Sequence, residues 1–557
     1  MKPATVTQWL QFWEHPQQHA SLCAIYGVGA ALLQERAALA MRTLQAFAER
    51  FGDCPVRLFR APGRINLRGM HVDIHGGYLN LMTHQREVLL AVTPTGTTET
   101  ILANTNPDFS EITFNFSDEY RGMDTKGDWW NIIADPEIAI RPRQRRTSAK
   151  TAWSNYCIGA ALRVAHGHRR QSLGGLKIMV GSDLPHGAAI SSSAALIIAS
   201  LMAYERCNAL DSSTDLRIKA AQDIEWYAGS RVGMSDQTAV LMGRSGHLLH
   251  LAVFAKDFSL ENARHISFPD ALDLLVVNSY TRRALSGAQR LEYVRNRFAY
   301  SMALTVMQEE LKYLGWTKQK AAAMDRLSRI TADSIGGMGA LYRLLKRIPE
   351  SIDINLLRQR YNPPGFAEEY NRYFGDIEER LRPRRIPLRG PLLFGIAESE
   401  RARIFPDVLE NRNFDLAGKL MSIGHDGDRV RDRHGNPFSP DISDSTIENL
   451  AAKESPVALQ PGAYSASSPA LDMLVDAAQD AGALGACLTG AGIAGAVLVL
   501  CRKENTDYIR QALATTLQQE SYSRCAGLAN RLDATDALSA VAVNHPTAGA
   551  CEITLDD

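Results

Sequence analysis

Three consecutive serines, Ser191, Ser192 and Ser193, stand where a loop turns into a helix. They lie in Asp183-Leu-Pro-His-Gly-Ala-Ala-Ile-Ser-Ser-Ser-Ala-Ala-Leu196, after the strand-like run Leu176 to Val180 and before the Ala-rich run Ala194 to Met202. Unpaired N–H groups and the positive end of a helix dipole make such a junction an anion site. Gly187 would let backbone approach a phosphate, and the hydroxyls suit phosphate oxygens or a magnesium ion. The plainer alternative is a Ser-rich helix cap. No Gly-Lys-Ser/Thr follows, so this is not a Walker loop.

A second dense cluster is Arg60-Ala-Pro-Gly-Arg-Ile-Asn-Leu-Arg-Gly-Met-His-Val-Asp-Ile-His-Gly-Gly-Tyr78, where Arg64, Arg68, His71, Asp73 and His75 crowd a Gly76-Gly77 turn. An Asp and a His two apart can both hold sugar hydroxyls, since a carboxylate accepts and an imidazole does either; a polar hairpin held by its own hydrogen bonds is the alternative. Leu58 to Leu67 reads as a strand with a turn at Pro62-Gly63. Glu225 and Asp236 lie eleven residues apart across a Gly-containing turn. They can converge on one site, although the local role of Asp236 is a helix N-cap or first-turn acid. The basic run Arg141 to Arg146 falls on an expected loop, either solvated or facing phosphate or an acidic surface. Near the end, Gly490 and Gly492 precede an apolar strand.

Elements must hold these groups in place. Helical spacing marks residues 1 to about 50, Trp153 to His166, Arg217 to Gly229, much of Ser286 to Leu381, and Phe405 to His425. Strands are expected within 79–116 and at His247 to Phe254, Leu272 to Asn278 and the run ending at Leu500. The chain has 557 residues, enough for two or more domains, with 61 basic and 61 acidic residues, so no global field recruits nucleic acid or anionic membrane. Eight cysteines without a Cys-x-x-Cys pair form neither a disulfide framework nor a zinc site. No signal peptide and no run of about 18 apolar residues is seen, so a cytoplasmic location is expected.

Three motifs in order resemble the GHMP kinase superfamily and, within it, the galactokinases. Ala61-Pro-Gly-Arg-Ile-Asn-Leu-x-Gly-x-His-x-Asp-x-x-Gly-Gly77 is similar to the galactokinase signature, Pro185-x-Gly-x-x-Ile-Ser-Ser-Ser-Ala-Ala195 to the phosphate loop, and Thr489-Gly-Ala-Gly-x-x-Gly495 to the third motif. Glu225, Gly233-Met-Ser-Asp-Gln237, Glu398-x-x-Arg401 and Met421-Ser-Ile-Gly-His425 are smaller matches. The likeness covers residues 45–557, with foreign material at 1–44, around 121–150 and roughly 305–385. It implies a two-domain α+β fold, with a first domain like ribosomal protein S5 domain 2 and a ferredoxin-like second. The expected division is a helical extension at 1–50, an N-terminal domain at 51–250, and a C-terminal domain at 251–557 carrying a helical insertion near 305–385.

The resemblance also implies phosphoryl transfer from ATP, with Mg2+, to the anomeric hydroxyl of a monosaccharide. The expected partners are the sugar and ATP, with neither nucleic acid nor membrane. Residue by residue, Asp236 would take or orient the C1 proton and Arg64 would hold that Asp ionised. Ser193 and Glu225 would hold magnesium. Pro185, Gly187, Ala188, Ser191, Ser192, Ser193, Gly490 and Gly492 would line the nucleotide, and His71, Asp73, Gly76, Met70 and Tyr293 the sugar.

Departures from the family pattern are informative. Galactokinases carry Glu where this chain has Met70, and that Glu accepts a hydrogen bond from the sugar's C6 hydroxyl. The following Tyr is Ile74 here, and Ala189 and Ala494 replace glycines. A sugar altered at C6 is therefore expected: a uronic acid such as galacturonate (plant galacturonate kinases also lack that Glu), a pentose, a 6-deoxy sugar or a larger one. Plain galactose is the alternative. A catalytically silent sugar- and ATP-binding protein would not need Asp236, and a mevalonate- or homoserine-type kinase would not need the His71-x-Asp73 pattern.

Overall fold

The computed structural model describes residues 3–123, 126–170, 172–185, 191–230, 232–281, 288–375 and 377–555, except for the side chains of 288–290 and 293. Among these, two sheets organise the molecule. The larger has nine strands, built on the long antiparallel pair Pro55–Arg68 and Tyr78–Pro94. Leu176–Ser182 extends it from Tyr78–Pro94, followed by Glu99–Asn104 and Ile112–Asn115. Two strands from beyond residue 250 also join it: Arg264–Ser267 through His247–Ala252, and Cys551–Ile553 directly on Pro55–Arg68. The smaller sheet is antiparallel, in the order Gly485–Thr489, Ala496–Arg502, Leu272–Asn278, Val541–Val543.

The turn expected at Pro62-Gly63 does not form. Pro55–Arg68 is one continuous strand whose register shifts between Pro62 and Arg64 and again between Asn66 and Arg68. Proline has no N–H to give the ladder, so a bulge absorbs it. Such an irregularity also re-aims the following side chain, here Arg64.

Residues 3–51 pack onto the larger sheet. Ala4–Thr5 pairs with Pro55–Arg68, and the helix Ala30–Phe51 buries Leu33, Ala37, Ala40, Leu44 and Phe47 at three- and four-residue spacing. Each large apolar side chain so buried contributes roughly 1.5–3 kcal/mol. Gly181 admits the helix, because a Cβ there would collide with Thr43. The opposite core holds the nearly wholly buried helices Ser154–Gly167 and Ser192–Cys207. Among the described residues no single helix is long and apolar enough to cross a membrane. The bent pair Ala20–Tyr26 and Ala30–Phe51 passes that test together.

The expected helical insertion is present, with Ala288–Tyr313, Met338–Arg347, Ile354–Tyr361 and Phe366–Phe374 and a hairpin of Ser351–Asp353 with Arg385–Pro387. It seats on the loop between the two long strands: Ser328 N–H donates to Gly76 O at 3.0 Å. Gly76 has a φ of 68°, and a Cβ there would press on Arg326 and the Phe254 ring. The basic run at 141–146 does not form the expected loop: Arg141 to Arg145 lie on the helix Pro136–Arg145, and Arg146 is its C-cap. Arg145 is tied to Glu119, Asn155 and Tyr227, and Arg141 donates to Glu119 O.

Candidate active site

Arg64 leaves its bulged strand to meet Asp236, in the first turn of the helix Ser235–Met242. The pair is bidentate, with Arg64 Nε to Asp236 Oδ1 at 2.6 Å and Nη2 to Oδ2 at 2.8 Å. Ser191 Oγ also donates to Asp236 Oδ2. Burial by itself would raise the pKa of Asp236. The Arg64 guanidinium and the hydroxyls of Ser191 and Ser235 outweigh burial and hold the carboxyl below its ordinary range.

The serines do not act as a conventional cap. Ser191 sits at the N-cap position with φ 58°, in the left-handed region, and makes no side-chain cap bond. Its hydroxyl goes to Asp236, and a non-glycine residue held so costs about 1–3 kcal/mol, a cost typical of functional sites. Pro185 is described and half-buried, whereas Gly187, Ala188 and Ala189 lie outside the described residues.

Ser235, within the Gly233-Met-Ser-Asp-Gln237 match but with no role assigned to it there, links Asp236 to the loop that carries His71 and Asp73. Its Oγ donates to Asp73 Oδ2 at 2.8 Å and lies 3.3 Å from Asp236 Oδ1. Asp73 accepts from Ile74 N–H at 3.0 Å, and a Cβ at Gly233 would collide with its carboxylate. His71, at φ 60°, stacks on Tyr464 at 4.6 Å, and its Nε2 lies 3.5 Å from Asp428 Oδ1. Burial, reinforced by nearby Glu398, pushes the Asp428 carboxyl well above the carboxylate range. His75 packs on Tyr300 at 4.1 Å and is pushed down to about 3 by burial and by Arg297, so it is neutral.

Glu398 anchors this loop from the helix Arg389–Glu410. Its Oε1 accepts from Gly69 N–H at 2.8 Å and Met70 N–H at 3.1 Å and pairs with Arg68 at 2.8 Å. Its Oε2 accepts from Arg401 Nε at 2.7 Å. Burial opposes the charge, but the two guanidiniums keep Glu398 below the ordinary range. The Met70 side chain is 1% exposed and lies in the apolar core. Tyr293 is on the helix Ala288–Tyr313, and its side chain lies outside the described residues.

The third motif is the turn between Gly485–Thr489 and Ala496–Arg502. Gly490 and Gly492 take φ of 82° and 78°, and a Cβ at Gly492 would strike Ala466 O. Thr489 Oγ1 donates to Asn66 O at 3.2 Å, which joins this motif to the first.

Glu225 stands behind Ser193, hydrogen-bonded to it and to Ser230. Burial, with Asp236 adding to it against the opposing hydroxyls and Arg64, raises its pKa to about 7. No group of three His, Cys, Asp or Glu side chains is gathered for a metal among the described residues. One buried carboxylate with a hydroxyl neighbour suits magnesium, which keeps waters and takes phosphate oxygens as further ligands. The donor set fits.

A pH dependence follows. Glu225 holds a proton between about pH 4.5 and 7 in the folded protein but not in the unfolded chain. The folded state is therefore favoured at the acid end, and stability attributable to Glu225 falls as pH rises through 7, by up to about 3 kcal/mol. Unfolding midpoints of wild type and Glu225→Gln in metal-free buffer, from pH 5 to 8, should diverge on the alkaline side with the variant the more stable. Parallel curves would show that Glu225 ionises normally.

Beside Ser192 and Ser193 opens a cavity of about 510 Å³, walled by Phe109, Trp153 and Tyr156 and closed by Gly229 and Ser230.

Three family models match the chain: the GHMP kinases N terminal domain over residues 155–244, the galactokinase galactose-binding signature over 45–94, and the GHMP kinases C terminal over 404–519. The chain carries the N- and C-terminal domain signatures of the GHMP kinases and the galactokinase galactose-binding signature. Their order matches that of the three motifs, and the signature brackets Arg64, His71 and Asp73. The chain is 24% identical to a galactokinase of Roseiflexus sp. over 84% of its own length and 90% of the relative's. It is 28% identical to a galactokinase of Chloroflexus aggregans over 48% of its own length, covering only 59% of that relative. It is also 28% identical to a galacturonokinase of Arabidopsis thaliana over 42% of its own length and 52% of the relative's. The crystal structure of Lactococcus lactis galactokinase complexed with galactose shares its fold, with TM-score 0.57 and 18% identity over 91% of this chain and 98% of that one. The two-domain α+β GHMP kinase fold is thereby established.

Proposed function

We propose that this protein transfers the γ-phosphoryl group of ATP to the anomeric hydroxyl of a monosaccharide. The observation that carries the reading is the relay Arg64–Asp236–Ser235–Asp73, in which a carboxylate kept ionised by a bidentate guanidinium is tied through one hydroxyl to the sugar-type loop. Phosphoryl transfer is mostly positioning and charge neutralisation, and these groups supply both.

In this reading the C1 hydroxyl donates to Asp236. Its oxygen forms the new bond to the γ-phosphorus as the bond to the leaving ADP oxygen breaks, and its proton passes to Asp236. Arg64 keeps Asp236 ionised and faces the migrating group. His71 and Asp73 hold sugar hydroxyls, with Gly76 shaping their loop and Tyr293 adding to the wall. The cavity beside Ser192 and Ser193 takes the nucleotide, with its apolar end against Trp153 for the base. Gly187, Ala188, Gly490 and Gly492 serve close backbone approach. Magnesium, held by Ser193 and Glu225, would neutralise phosphate charge.

The substrate class is a sugar altered at C6, galacturonate first. Met70 offers no acceptor for a C6 hydroxyl, and leaving a buried hydroxyl unpaired costs about 1–3 kcal/mol. Removing the family's Glu also removes its repulsion of a C6 carboxylate. The match to a galacturonokinase supports the same choice. A coupled ADP-release assay with galactose, galacturonate, glucuronate, arabinose, fucose and N-acetylgalactosamine tests it. Galacturonate is expected to exceed galactose in kcat/KM by about tenfold or more. A preference for galactose would overturn the C6 reading, and saturable sugar and ATP binding without turnover would overturn the kinase.

A further inference from the structure

Arg146 caps the helix Pro136–Arg145 within the segment around 121–150 that the family likeness does not cover, and Arg141 and Arg145 on that helix are spent on internal tethers. Arg146 points elsewhere. It lines the cavity that also holds Ser193, Ser230 and Tyr156, and among the described residues it is the one charged side chain on that wall. Its Nη1 donates to Ala228 O at 2.9 Å, at the end of the helix that carries Glu225. Gly229, at φ 99°, makes room, since a Cβ there would collide with the guanidinium. No carboxylate among the described residues forms an ion pair with Arg146, which is exposed, whereas the buried or half-buried guanidiniums of Arg64, Arg68, Arg145 and Arg401 are matched by acids.

A diphosphate or triphosphate entering this cavity brings several negative charges against hydroxyls and backbone, which are neutral. A guanidinium on an exposed residue, fixed at one nitrogen and with donors to spare, is suited to phosphate oxygens. We infer that Arg146 is a nucleotide-phosphate ligand of this enzyme, supplied by the segment around 121–150 and held in place by Ala228 and Gly229. The inference rests on the nucleotide reading of the cavity.

The test is calorimetric binding of ADP and of adenosine to wild type, Arg146→Ala, Arg146→Lys and Arg143→Ala in the full chain. Arg143 lies on the same helix, exposed and outside the cavity wall, and serves as the control. Loss of one charge-assisted contact should weaken ADP about tenfold to a hundredfold in Arg146→Ala, with partial recovery in Arg146→Lys. Adenosine affinity, and ADP affinity in Arg143→Ala, should stay within about twofold of wild type. Unchanged ADP affinity in Arg146→Ala overturns the inference. So does equal weakening of ADP and adenosine, because it would show a merely structural role at the helix end. Wild type that binds neither ligand overturns the nucleotide reading of the cavity together with the inference.

Discussion

Asp236→Asn should lower kcat by about 10²- to 10⁴-fold, the range for removing a positioned proton acceptor, while KM for sugar and for ATP changes only a few-fold. The amide keeps the size of the side chain and an acceptor for Arg64, so the site geometry survives while the ionised acceptor is lost. The low pKa of the native carboxyl, held against burial by Arg64 and two hydroxyls, means that the base form dominates throughout the neutral range. Turnover across pH 6–9, with sugar binding measured in parallel by calorimetry, separates the outcomes. A kcat within tenfold of wild type, with binding intact, would remove Asp236 from the proton transfer.

Glu398→Ala should cost about 3–5 kcal/mol, because it strands two buried cations, Arg68 and Arg401, without their shared carboxylate. The Gly69 and Met70 N–H groups lose their acceptor as well. Since those two residues open the loop that carries His71 and Asp73, sugar affinity should fall along with stability. Glu398→Gln retains acceptors but not charge and should fall between. Thermal unfolding of the three proteins, with sugar binding at a temperature where all are folded, reads both effects. A loss below about 1 kcal/mol in Glu398→Ala would mean that water or a rearranged partner compensates the two arginines.

Each motif read from the chain is a local object, and its local part was legible. Three hydroxyls before an Ala-rich run predict a loop entering a helix, and the helix Ser192–Cys207 is there. Apolar spacing predicts the helix that carries Glu225 and the strands at His247 and Leu272, because periodicity reports which face of an element is buried. Errors arose where a local signal had two outcomes. Pro62-Gly63 reads as a turn in isolation, but cross-strand pairing on both sides turns it into a bulge. The basic run reads as a loop because its charges look solvated, until Glu119 and Tyr227, brought near by packing, accept its hydrogen bonds.

By itself, then, the sequence determined the motifs, their order, the elements that carry them and the family they resemble. Only the tertiary structure decided which partner each polar or charged group meets. Arg64 and Asp236 are 172 positions apart, Gly69 and Glu398 are 329 apart, and Asn66 and Thr489 are 423 apart. No periodicity or spacing encodes such pairings, since any of the chain's 61 acids is a formal match for any of its 61 bases. What selects one is burial: a charge withdrawn from water is tolerated only where a counter-charge or hydrogen-bond partner is packed against it. The same rule separates half-buried Arg145, whose guanidinium is tied to Glu119, from exposed Arg146 one residue later, which lines the cavity beside Ser193 and has no such acid among the described residues.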